Sequence, residues 1–128
     1  MRIGREVVAS GGVDTVNGGI FLDRGSQIDG GLETVNGSIH ADENVQARGM
    51  QTVNGAIRGG RRLLLGGDIE TVNGGIFIDH GSRIDGGVET VNGSIGLVGT
   101  EVGQEVETIN GDITIGIGSN VKGAVQVK

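Results

Sequence analysis

Along this chain a segment of apolar, polar (usually acidic), Thr, Val or Ile, Asn, Gly, small and Ile residues returns at a nearly fixed interval. The leading apolar positions are Val13, Leu32, Met50, Ile69, Val88 and Val106, and the closing isoleucines are Ile20, Ile39, Ile57, Ile76, Ile95 and Ile113. Between the threonines, Thr15, Thr34, Thr52, Thr71, Thr90 and Thr108, the intervals are 19, 18, 19, 19 and 18 residues. Side chains on a strand alternate between two faces, so in Leu32-Glu33-Thr34 the leucine and threonine point inward and the glutamate outward. Asn-Gly is a strong hairpin signal, and both residues tolerate the left-handed conformation, so a bend is predicted there. A hairpin would pair antiparallel strands within a repeat. The constant period instead sets like residues beside like from one coil to the next. Two further turns, at Asp23-Arg24-Gly25-Ser26 and Asp29-Gly30-Gly31, return as Asp79-His80-Gly81-Ser82 and Asp85-Gly86-Gly87. Three short strands per repeat remain. The pattern predicts an all-β fold: a single-domain parallel β-helix (β-solenoid) of about six coils of 18–19 residues, roughly 29 Å long at ~4.8 Å per coil.

Residues 1–12, with Val7 and Val8, read as an opening strand or cap, and residues 13–128 as the repeat domain. A shift of 56 residues superimposes Thr15 on Thr71, Thr34 on Thr90 and Thr52 on Thr108, so a block of three coils is duplicated. Glycine, at 28 of 128 residues, far exceeds the usual ~7%; without a Gly-X-Y period it signifies turns, not collagen.

The outer columns carry the candidate sites. Asn17, Asn36, Asn54, Asn73, Asn92 and Asn110 form one column and are expected to bond as a buried amide ladder, the alternative being a sugar-binding groove. Two of them begin glycosylation sequons, at Asn36-Gly37-Ser38 and Asn92-Gly93-Ser94; burial in a ladder would leave both inaccessible. Val16, Val35, Val53, Val72, Val91 and Ile109 form either an outward interaction stripe or part of the core, since alternation does not decide at a corner. Asp14, Glu33, Gln51, Glu70, Glu89 and Glu107 read as a solvated acidic face, with no calcium-loop spacing. Arg58, Arg61 and Arg62, the largest departure from the repeat, form a candidate anion patch or a self-solvating loop.

Composition narrows the chemistry. A net charge of −6, two Phe, no Trp and no Tyr argue against nucleic-acid binding. With no Cys there is neither thiolate nor disulfide. No apolar run reaches the ~20 residues of a membrane-spanning helix, so no membrane insertion is expected. His40 and His80 occupy non-equivalent positions outside any triad or metal spacing. No cofactor, metal or catalytic residue is expected, and the chain reads as a non-enzyme.

The repeats Glu33-Thr34-Val35-Asn36-Gly37-Ser38-Ile39, its copy Glu89 to Ile95, and Glu107-Thr108-Ile109-Asn110-Gly111-Asp112-Ile113 resemble those of a bacterial putative-adhesin β-solenoid family over about residues 13–127. A looser likeness is to bactofilins, whose β-helices polymerise end to end. The resemblance implies a bacterial cell-envelope setting. The expected function is a structural, self-assembling or surface-interaction scaffold, with a homo-oligomer formed end to end or laterally. The alternatives are a glycan- or cation-binding surface module and, last, a carbohydrate-active enzyme.

Overall fold

The computed structural model describes residues 2–3 and 8–127. Among the described residues the chain winds through three parallel sheets of seven strands each. The motif sheet contains Val13–Asn17, Gly31–Asn36, Gly49–Asn54, Ile69–Asn73, Val88–Asn92, Val106–Asn110 and Val125–Val127. The second sheet follows the Asn-Gly corner and runs from Arg2–Ile3 through Ile20–Leu22, Ile39–Ala41, Ile57–Gly59, Ile76–Ile78 and Ile95–Leu97 to Ile113–Ile115. The third is built of two-residue strands, Val8–Ala9, Gln27–Ile28, Gln46–Ala47, Leu64–Leu65, Arg83–Ile84, Glu101–Val102 and Asn120–Val121. No helix occurs among the described residues. The architecture is the β-solenoid that the period predicts.

Register follows the repeat. Thr15 pairs with Thr34, Thr34 with Thr52, and so on to Thr108, and the asparagines and leading apolar residues align in the same way. Residues ahead of the first motif join the same sheets: Arg2–Ile3 pairs with Phe21–Leu22, and Val8–Ala9 with Gln27–Ile28.

The core is a column of aliphatic side chains drawn from all three sheets, including Leu32, Ile69, Ile39, Ile76, Leu65 and Ile84. Its volume is balanced within each coil between the end of the second sheet and the turn beyond it. Leu22 is matched with Ser26, Ala41 with Val45, Gly59 with Leu63, Ile78 with Ser82 and Leu97 with Thr100, and every turn residue of these pairs is buried. At Gly59 the space a Cβ would occupy is filled by Leu63 and Ile78 methyl carbons. This exchange of large for small explains part of the irregular stretch Arg58 to Leu63, because interiors tolerate redistribution of volume better than its loss. The buried hydroxyls are bonded: Ser26 donates to the Asp23 carbonyl at 2.7 Å and Thr100 to the Val98 carbonyl at 2.9 Å.

Candidate interaction faces

Each letter of Thr-Val-Asn-Gly has a separate task between coils. From the second motif coil on, the threonines Thr34, Thr52, Thr71, Thr90 and Thr108 are buried and donate from Oγ1 to the glycine carbonyl of the preceding coil, as Thr34 does to Gly18 at 3.0 Å, Thr71 to Gly55 at 2.9 Å and Thr108 to Gly93 at 3.0 Å; Thr15 is half-buried. Glycine is required for a reason other than the left-handed turn expected. A Cβ on Gly37, Gly55, Gly93 or Gly111 would collide with the glycine carbonyl oxygen one coil before it. Of the motif glycines, Gly18 and Gly74 have positive φ, at 141° and 159°, while the residues in the left-handed helical region lie at the turn between the second and third sheets: Gly25, Asn44, Arg62, Gly81, Gly99 and Gly118, with φ between 51° and 84°.

The asparagines are joined in one chain of hydrogen bonds. Each Nδ2 donates to the Oδ1 of the asparagine one coil earlier, with Asn36 to Asn17 at 3.0 Å, Asn54 to Asn36 at 2.9 Å, Asn73 to Asn54 at 2.8 Å, Asn92 to Asn73 at 2.9 Å and Asn110 to Asn92 at 2.9 Å. The expectation of burial is corrected: all six are exposed, because the corner turns their side chains outward beside the valines. Burial therefore does not shield the sequons at Asn36 and Asn92.

The branched column points out. Val16, Val35, Val53, Val72 and Ile109 are 37–62% exposed, and Val91 is half-buried. Beside it, toward the strand starts, run Asp14, Glu33, Gln51, Glu70, Glu89 and Glu107, with Asp68 and Glu105 just ahead of their strands. The motif sheet carries no lysine or arginine in its strands from Val13–Asn17 to Val106–Asn110. Burial, then the carboxylates of Glu70, Glu107, Glu105 and Asp68, push the Glu89 pKa above its ordinary value. A recess of about 340 Å³ lies along this edge, lined by Gly12, Gly31 and Gly49 together with Asp14, Glu33, Asp68 and Glu70.

The second sheet shows an outer column that the sequence pattern did not reveal. Phe21 and His40 stack with ring centroids 4.9 Å apart and planes 4° from parallel, and the Arg58 guanidinium sits 5.8 Å from the Phe77 ring centroid. These residues differ in type from coil to coil, so no repeated letter marks them; only the strand register brings them together. Beyond Phe77 the column is interrupted by Gly96, beside a recess of about 530 Å³. The three arginines consequently separate: Arg58 lies on this face, whereas Arg61 and Arg62 lie on the next turn. Among the described residues no group of three or more His, Cys, Asp or Glu side chains is arranged to hold a metal.

Comparison with family models, curated proteins and solved structures yields no match to this chain.

Proposed function

We propose that this chain is a non-catalytic β-solenoid scaffold that works by self-association through its outer columns. One observation carries the reading: threonine, asparagine and glycine of the motif are spent on bonds or close contact between coils, while the valines between them are held at the surface in one straight line. A repeated aliphatic stripe on a sheet whose inner face is already packed is a surface suited to another protein. The resemblance to putative-adhesin solenoids agrees with a role at a surface, and that kinship is itself part of the proposal.

Light scattering across a concentration series, with electron microscopy of the same samples, tests it. A mass that climbs from 13.0 kDa toward multiples of it, with particles of uniform width, is expected. A mass of 13.0 kDa at every concentration overturns the reading.

A further inference from the structure

Resting on the scaffold reading, we propose that two copies pair in parallel through their motif sheets, valine stripe on valine stripe, with the carboxylate column of each against the asparagine ladder of the other. The observations that select this arrangement are the order of the columns and the hydrogen-bonding groups they leave open.

Across the outer face of a motif strand the order is carboxylate, valine, asparagine, as in Glu33, Val35 and Asn36. Face-to-face packing of two identical sheets by a two-fold rotation has two simple forms. If the axis lies along the strands, the solenoids run antiparallel and each carboxylate column meets its own copy. If the axis lies along the solenoid, the rods run parallel, the strands stay level, and each carboxylate column meets the partner's asparagines. In the second form the two acidic columns are offset by about 14 Å, two strand steps of ~6.8 Å, which exceeds the screening length of about 8 Å.

Donors and acceptors also match in that form. Each asparagine from Asn36 to Asn110 spends one Nδ2 hydrogen on the preceding coil. An amide nitrogen carries two hydrogens, so a second donor per coil points away from the ladder. Carboxylates are acceptors only, and among the described residues no ion pair engages Asp14, Glu33, Glu70 or Glu89. Loss of hydration first, and then the neighbouring carboxylates, raise the pKa of Glu89, and opposing amide donors would offset both. Coil spacing is identical in the two copies, so a match at one coil is repeated at the next, with the Gln51 amide oxygen as the acceptor in the one coil that lacks a carboxylate.

The face measures about 17 Å by about 29 Å, or roughly 500 Å² per copy. The total near 1,000 Å² falls at the small end of specific interfaces. Association is accordingly expected to be reversible and visible at high protein concentration.

The absence of cysteine from the sequence makes single-cysteine variants clean probes. Val16→Cys and Ile109→Cys place a thiol at opposite ends of the stripe, five coils or about 24 Å apart. With a short bis-maleimide linker, each variant is expected to cross-link to itself, while Gln27→Cys, on the outer face of the third sheet, does not. Adding Val72→Lys to either is expected to lower the yield roughly tenfold, because a charge would be buried in the stripe. Cross-links formed only when the Val16→Cys and Ile109→Cys chains are mixed would overturn the parallel arrangement. Rising mass without cross-links at either site would place the interface elsewhere and leave the scaffold reading standing. Constant mass without cross-links would overturn both.

Discussion

A single glycine in the motif shows how little room separates one coil from the next. At Gly74 an added Cβ would run into the Gly55 carbonyl oxygen, a backbone atom that cannot swing aside. Gly66, on the turn between the third sheet and the motif sheet, has no atom within 4 Å of the same ideal position. Gly74→Ala is therefore expected to cost at least about 2 kcal/mol, whereas Gly66→Ala should stay within about 0.5 kcal/mol of the parent or gain slightly. Urea unfolding of the two variants checks the contrast, and equal effects would refute it. Arg62 illustrates the opposite choice. It holds a φ of 57° where the equivalent positions are Gly25, Asn44 and Gly81, a conformation that disfavours a residue with a Cβ by roughly 1–2 kcal/mol.

At the scale of the strand and its column, like residues accumulate what a single residue would not show. Glu89 is surrounded by carboxylates of its own and the adjoining columns, and its folded pKa lies above its ordinary value. The folded chain thus holds this proton more tightly than the unfolded chain, so folding is penalised above the raised value and relieved as pH falls through it. Glu89→Gln is expected to raise the melting temperature at neutral pH, and the gain should disappear below about pH 4, where carboxylates protonate in either state. Thermal melts of both proteins between these limits measure it; a gain that persists in acid would point to packing.

The same scale marks how far the sequence could be read. Alternation was sufficient along Leu32-Glu33-Thr34, where the strand is straight, and the structure has Leu32 and Thr34 buried and Glu33 exposed. It fails at Asn36, because the chain bends there and two successive residues, Val35 and Asn36, both face solvent. The glycine after each asparagine was legible as a bend, but from Gly37 to Gly111 the tighter constraint is a carbonyl in another coil, nearly twenty residues away in sequence. The Phe21–His40 and Arg58–Phe77 contacts were hidden because the column mixes residue types. The opening strand expected at Val7 and Val8 is found at Val8–Ala9, Val7 lying outside the described residues, whereas Arg2–Ile3 carries no signal in the sequence and is revealed by its pairing with the next coil.

For the whole molecule, the consequence lies in how each coil uses the one before it. Thr71 bonds to Gly55 and Asn73 to Asn54 in the preceding coil, and the same contacts recur one coil along, from Thr90 to Gly74 and from Asn92 to Asn73. Any coil can therefore rest on any other. Excising residues 71–89, which joins Glu70 to Thr90, should leave a shorter protein with an unchanged circular dichroism shape and a lower melting temperature. Excising only residues 71–80 should abolish cooperative unfolding, since every later column would be displaced; a folded product would contradict this account. A chain of this kind can gain or lose length in whole steps during replication without passing through a misfolded intermediate. The near-identity of residues 15–39 and 71–95 is the trace such an event would leave.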